Sequence, residues 1–153
     1  MAERLSAGEV CTRIVSFAER GMDITEAARL MREHHVGSLV VVDETAAGRV
    51  AVGMLTDRDI VTAVVAKGVD ATSLRVGDAM GPDLVSARED DSMVDLLALM
   101  RGKGVRRVPI VGAGGVLVGL VTMDDLLGII AEELRLVAVA IESGRHREAG
   151  QRP

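Results

Sequence analysis

The sequence predicts a mixed α/β fold built by internal duplication. Three observations carry this. One motif is written twice, as Gly53-Met-Leu-Thr-Asp-Arg-Asp59 and Gly119-Leu-Val-Thr-Met-Asp-Asp125. Each copy follows an apolar run, Val50 to Val52 or Val116 to Val118, and opens a stretch with helical spacing. Upstream segments also recur, with Leu5 to Cys11 answering Leu74 to Met80 at an offset of 69 residues. A period of this length signals stacked or paired units that bury a shared core.

Within each unit the elements follow in the same order. A short leading segment (Leu5 to Cys11, Leu74 to Met80) precedes a short extended one, Ile14-Val-Ser16 or Leu84-Val-Ser86, in which Ser16 and Ser86 correspond. Asp23-Ile-Thr-Glu26 and Ser92-Met-Val-Asp95 then read as capping boxes. Behind them Ile24, Ala27, Ala28 and Met31, and equally Met93, Leu96, Leu97 and Met100, fall on one helical stripe. Val36 to Val42 and Val105 to Val111 read as strands, with hairpin turns at Asp43 to Arg49 and Gly112 to Gly115. The second hairpin strand leads into the repeated motif and a closing helix, Ile60 to Lys67 or Leu126 to Ile141. Each unit is therefore helix–strand–helix–strand–strand–helix. The expected boundaries are 1–70, 71–132 and a helix extension with polar tail at 133–153. Units of about 70 residues bury only a modest share of their surface, so they are expected to pack on each other through their sheets.

Composition narrows the function classes. The 153 residues are 48% hydrophobic, with one Phe, no Trp and no Tyr. Single-stranded nucleic-acid modules use aromatic stacking platforms, which are missing. A net charge of −5 argues against general affinity for nucleic acid or anionic membrane. No apolar run nears the roughly 20 residues of a membrane span. The N-terminus, Met-Ala-Glu-Arg-Leu-Ser, does not read as a signal peptide. A single cysteine, Cys11, fits a reducing compartment, so a cytoplasmic location is expected. Cys11 aligns with Met80 and reads as a small core residue.

The repeated motif offers chemistry as well as architecture. Thr56 and Thr122 stand where a helix N-cap belongs, with Asp59 and Asp125 three residues on. Free N–H groups and a hydroxyl at a helix start suit phosphate, and an acid near a strand end can accept hydrogen bonds from ribose hydroxyls. Helix capping alone is the simpler reading and is compatible with a ligand role. His34 and His35 are adjacent, so they diverge on a helix and make no metal pair, and no Cys/His cluster has zinc spacing. Gly112-Ala-Gly-Gly115 lacks the Lys-Ser/Thr of a phosphate loop. Asp57, Asp59, Asp124 and Asp125 include no general base or metal-ligand set, so a nucleotide hydrolase is the weakest of the functions weighed and no catalytic residue is assigned.

These motifs, in order and twice, resemble a tandem pair of CBS domains, a Bateman module, over about Leu5 to Ile130. The Val105-Arg-Arg-Val-Pro-Ile-Val111 strand and the Asp78-Ala-Met80 entry belong to the same resemblance. It is similar in particular to short bacterial proteins consisting of little besides the pair. The resemblance implies two repeats packed through their sheets with pseudo-twofold symmetry. It also implies two clefts for adenosine-containing ligands (AMP, ADP, ATP, S-adenosylmethionine or NAD), a regulatory rather than enzymatic role with no required cofactor, a homodimer, and an effector partner. It places Asp59 and Asp125 on ribose hydroxyls and Thr56 and Thr122 near phosphate. Ser16 and Ser86 fall where the family lines the adenine pocket. Val36, Gly37, Ser38, Val105, Arg106, Arg107 and Pro109 form the strand entries beside the base. Arg58, Arg106 and Arg107 are the phosphate partners, because guanidinium matches phosphate oxygens bidentately. Arg106 and Arg107 can equally be a solvated turn. The repeats differ at Asp57-Arg58 against Met123-Asp124 and at Val40 against Pro109, so the clefts are expected to take phosphate unequally. The competing reading is a structural dimerisation module with vestigial clefts.

Beyond the second unit, Leu126, Ile130, Leu134, Val137 and Ile141 form a helical stripe that reads either as packing on its own domain or as a partner helix in a homodimer. Ser143 to Pro153 is polar and is expected to be disordered.

Overall fold

A computed structural model describes residues 5–151. The readings of residues 1–4 as free of a signal peptide and of residues 152–153 as tail lie outside it. The chain forms α1 (Ala7–Val10), β1 (Phe17–Glu19), α2 (Ile24–His34), β2 (Ser38–Thr45), β3 (Gly48–Thr56), α3 (Asp57–Ile60), α4 (Val76–Ala79), β4 (Ala87–Arg88), α5 (Met93–Lys103), β5 (Arg107–Val111), β6 (Leu117–Thr122) and α6 (Met123–Gln151). A π-helical turn, Val61–Val65, continues α3, and a 3-10 turn, Ala113–Gly115, joins β5 to β6.

There are two three-stranded sheets of identical topology, β1-β2-β3 and β4-β5-β6. In each, the first pair is parallel and the hairpin antiparallel, with a bulge at Val41/Val42 and again at Ile110/Val111. The two main helices form where the capping logic puts them. The Glu26 N–H donates to Asp23 Oδ1 at 2.8 Å, and the Asp95 N–H to Ser92 Oγ at 3.2 Å. Their left-handed C-caps differ: Gly104 adopts φ 65° at no steric cost, whereas His35 adopts φ 54° with a side chain. The stripes face inward as spaced, burying Ile24, Ala27 and Met31 on one sheet and Leu96 and Met100 on the other. A third apolar cluster, Val40, Val42 and Ala51 with Phe17, Met54, Leu84, Val111, Leu117 and Leu120, joins the sheets face to face.

The leading helices are exchanged between the sheets. The N–H groups of Ala7 and Gly8 donate to Asp91 O and Glu89 O, and Thr12 and Leu120 exchange backbone hydrogen bonds at 2.9 and 3.0 Å. Reciprocally, the N–H groups of Val76 and Gly77 donate to Met22 O and Arg20 O. Val76 is therefore buried in the first core and Ala7 in the second. This exchange explains the glycine that opens each motif. A Cβ on Gly119 would sit 2.5 Å from Cys11 Sγ and 2.8 Å from Thr12 O; one on Gly53 would sit 2.9 Å from Met80 Sδ. Cys11 is half-buried and packs on the second core, as its alignment with Met80 suggested.

Four local expectations are corrected. Ala18 faces Val41 as Ala87 faces Ile110, so the repeat offset stays at 69 through the first strand. Ser16 therefore matches Val85, and Ser86 matches Phe17; Ser16 and Ser86 do not correspond, because the look-alike triplets Ile14-Val-Ser16 and Leu84-Val-Ser86 misled the count by one. The first hairpin loop shrinks to Ala46-Ala47, since the Thr45 hydroxyl accepts the Ala47 N–H at 3.2 Å and donates to Gly48 O at 2.8 Å. The Ile60 to Lys67 helix winds into a π-turn rather than staying α-helical. Ser143 to Gln151 is helical rather than disordered. That stretch keeps helix-favouring Arg145, Arg147, Glu148, Ala149 and Gln151, and His146 Nδ1 lies 2.9 Å from Glu142 O.

Candidate functional site

Each motif turns a strand into a helix at a reciprocal capping box. The Asp59 N–H donates to Thr56 Oγ1 at 3.1 Å and the Thr56 N–H donates to Asp59 Oδ2 at 2.8 Å. In the second repeat the Asp125 N–H donates to Thr122 Oγ1 at 3.2 Å and the Thr122 N–H to Asp125 Oδ2 at 2.8 Å. Both carboxylates are partly buried, and the cap uses only Oδ2 of each. The same geometry that ends the strand thus holds a second carboxylate oxygen at a fixed place.

The strand entries lie directly beside these helix starts. The Asp57 N–H donates to Gly37 O at 3.0 Å, and the Met123 N–H donates to Arg106 O at 2.8 Å. Val36-Gly37-Ser38 is therefore tied to Thr56–Asp59, and Val105-Arg106-Arg107 to Thr122–Asp125. Gly37 lies close under two side chains: a Cβ there would meet Asp57 Oδ2 at 3.2 Å and Arg107 Nη2 at 3.5 Å. Arg107 belongs to the second repeat, so its guanidinium crosses to the first repeat's helix start. Arg106, Arg107, Thr122, Met123 and Asp124 line a hollow of about 160 Å³. That is below the ~300–1,000 Å³ of a pocket enclosing a whole drug-sized ligand, and suits one polar end of a larger molecule. Arg58 is exposed on the first turn of α3.

The remaining sequence-derived residues separate into two groups. Ser38 is buried at the start of β2, opposite Thr56, and Val36 and Val105 close the helix-to-strand turns through N–H bonds to Met31 O and Met100 O. Ser16 is turned aside, hydrogen-bonded through Oγ to His34 Nδ1 at 2.8 Å. Ser86 lines a separate hollow of about 690 Å³ with Pro82 to Val85, Leu99 and Lys103.

Pro109 makes the strand pairing of the second repeat differ from that of the first. In the first repeat the Val40 N–H donates to Ser16 O at 3.1 Å and extends the parallel pairing. Pro109 occupies the matching position and has no N–H to give Val85 O. The parallel pairing accordingly starts one residue later, at Ala87 rather than at the equivalent of Phe17. The clefts are thus unequal in backbone as well as side chain. The residue sequence reasoning underused is Asp57, whose carboxylate abuts Gly37 and whose Oδ1 accepts the Arg58 N–H at 2.8 Å. Its absence from the second repeat, where Met123 stands, was the available signal.

No group of three or more His, Cys, Asp or Glu among the described residues could hold a metal ion, and none of their helices is long and apolar enough to cross a membrane. The perturbed titrations lie away from the clefts. The Arg20 guanidinium, 2.8 Å from Asp43, holds the Asp43 carboxyl below its ordinary range, and Thr72 does the same for Asp70 through its N–H and hydroxyl.

Comparison with known proteins agrees with this architecture. The family model for the CBS domain matches residues 7–66 and 76–132. An uncharacterised protein of Methanopyrus kandleri is 37% identical over 125 residues, which are 82% of this chain and 62% of that protein; this chain therefore spans under two thirds of that relative. The crystal structure of Hypoxic Response Protein I with two coordinated zinc ions superposes with a TM-score of 0.70 at 31% identity, covering 80% of this chain and 96% of that one. The cytosolic domain of the Mg2+ channel MgtE in complex with ATP gives 0.69 at 29% identity, covering 81% and 48%. Two reciprocal capping boxes, two bulged sheets of one topology, exchanged leading helices and the doubled family match lead to one conclusion: the chain belongs to the CBS-domain family, as a tandem pair.

Proposed function

We propose that this chain is a cytoplasmic regulatory module, not an enzyme. It binds an adenosine-containing ligand (AMP, ADP, ATP, S-adenosylmethionine or NAD) in the clefts between its repeats. As a homodimer it passes occupancy on to an effector protein. The observation that carries the reading is a doubled capped helix start whose carboxylate keeps one oxygen outside the cap, with a guanidinium that crosses between repeats to Gly37. The free oxygens of Asp59 and Asp125 accept ribose hydroxyls. The Thr56 and Thr122 hydroxyls, which accept a backbone N–H and keep their own O–H, donate to phosphate, and Arg107 and Arg106 neutralise its charge. Arg58 adds a further guanidinium at the first cleft. Val36, Ser38, Val105 and Pro109, on the strand entries, stand on the nucleoside side, whereas Ser16 bonds to His34 and Ser86 lines the separate hollow. The ATP complex of the MgtE cytosolic domain, a relative in fold and sequence, supports the ligand class.

Ligand binding couples the repeats only as far as it favours one packing over another. Calorimetric titration with AMP, ATP, S-adenosylmethionine and NAD tests the reading. A ligand at a hundred times its Kd adds about 2.7 kcal/mol to stability, so thermal unfolding should rise measurably with it. Silence in both measurements with all four would contradict the proposal.

One observation favours the alternative of a structural dimerisation module with vestigial clefts: each motif carboxylate already works as a cap. Asp59→Asn separates the two. An amide oxygen can still cap, so a purely structural role predicts near-normal stability and no altered ligand response, whereas the sensor reading predicts weakened nucleotide binding.

A further inference from the structure

The last 21 residues of α6, 131–151, are exposed throughout, and the only buried residue of the whole helix is Leu126. At 1.5 Å per residue this is roughly 30 Å of helix standing away from its own domain. It is far from polar. Between Leu134 and Ile141 only Arg135 carries a charge. Leu127, Leu134 and Ile141 recur every seven residues and are 61%, 64% and 54% exposed. Ile130, Val137 and Gly144 recur at the same interval, three positions further on. This is the heptad spacing of a two-helix seam.

We propose that this segment pairs with the same segment of a second copy, antiparallel and crossing near Val139. Charge and size select both the occupant and the direction. With the crossing at Val139, Val137 of one copy meets Ile141 of the other. Glu133 of each copy then flanks Arg147 of the other. Among the described residues neither has an ion-pair partner in its own chain, whereas neighbouring Glu132 is held by Arg135 at 2.7 Å. Ala138 and Ala140 flank the seam at the crossing, where small side chains let two backbones approach. A parallel arrangement instead sets Glu133 beside Ala138 of the other copy, leaves it without a basic partner, and aligns the two helix dipoles head to head. The antiparallel pair is isologous, so it closes on two copies. Leu136 and Val139 lie outside this seam. The proposal is independent of what the clefts bind.

The test uses the full chain in sedimentation equilibrium. Val137→Glu, at a position 56% exposed and so tolerant of charge in the free chain, should weaken self-association at least tenfold. Glu133→Arg and Arg147→Glu should each weaken it, and the two combined should restore it. Direction is read by mixing a Glu133→Cys chain with an Arg147→Cys chain, both carrying Cys11→Ala. Antiparallel pairing predicts mixed disulfide dimers in excess over like-with-like ones. A chain that remains monomeric, or associates with unchanged affinity in all three α6 variants, overturns the pairing; like-with-like disulfides in excess overturn its direction.

Discussion

At the residue scale, the repeated glycine and the repeated acid have different jobs. Gly119 is where a leading helix from the other repeat crosses a strand, and Cys11 and the Thr12 carbonyl fill the space a methyl would need. Gly119→Ala should therefore destabilise by about 1–3 kcal/mol, the usual cost of overpacking, measured as the urea midpoint. Gly53→Ala should cost less, because the nearest atom there is the sulfur of Met80, the mobile end of a flexible side chain. Thr122→Ala removes the hydroxyl that caps α6 and should cost about 0.5–2 kcal/mol by the same measurement. Arg107→Ala should leave stability nearly unchanged, since the guanidinium is exposed, yet weaken ATP binding more than adenosine binding in calorimetric competition. Equal losses for both would remove Arg107 from the phosphate end.

A pH effect belongs to this scale too. The Arg20 guanidinium depresses the Asp43 carboxyl in the folded chain. A depressed acid contributes stability that is present above its unfolded value and is lost as pH falls through its folded value. The Arg20–Asp43 pair is exposed, so its contribution is small. Asp43→Asn should therefore flatten the acid side of a stability-against-pH curve slightly and leave the neutral region almost untouched.

At the element scale, most of the fold was legible. Asp23 and Ser92 announce α2 and α5, and the apolar stripes behind them name the residues that are in fact buried, Ile24 and Met31 among them. Each helix begins beside a strand pair whose hairpin the turn residues also announce. What local pattern did not carry was register. The triplets ending in Ser16 and Ser86 look alike, yet the sheet aligns Ser16 with Val85. Only strand pairing decides this, because a one-residue slip reverses which face each side chain meets. Ala18 and Ala87, both buried at the same place in their sheets, set the true alignment. The π-turn after α3 and the persistence of α6 through Ser143 and Gly144 were also beyond the sequence, since both follow from the balance of a few weak preferences. Pro109 was visible as a difference between repeats; its consequence, a shorter β4, needed the pairing partner. Pro109→Val should return an N–H to that strand, and amide exchange at position 109 should then be slow if Val85 O accepts it.

At the scale of the whole molecule, the exchange of leading helices is the feature no single segment reveals. It makes each hydrophobic core depend on both repeats, with Val76 buried in the first and Ala7 in the second. The pair should therefore unfold as one unit. Val76→Ala should shift the entire circular-dichroism transition by a cost of about 0.5–3 kcal/mol rather than split it in two. The same arrangement lets Arg107 of one repeat stand against Gly37 of the other. The candidate site was thus legible residue by residue, while the guanidinium that crosses between repeats was not.

The claim on which the functional reading rests is that a nucleotide lies with its ribose against a motif carboxylate and its phosphates toward Arg107. A crystal structure of the full chain grown with ATP measures this directly. The account predicts ribose hydroxyls within hydrogen-bonding distance of Asp59 or Asp125 and a phosphate oxygen on the Arg107 guanidinium. ATP bound away from both carboxylates, with Arg107 untouched, would contradict it.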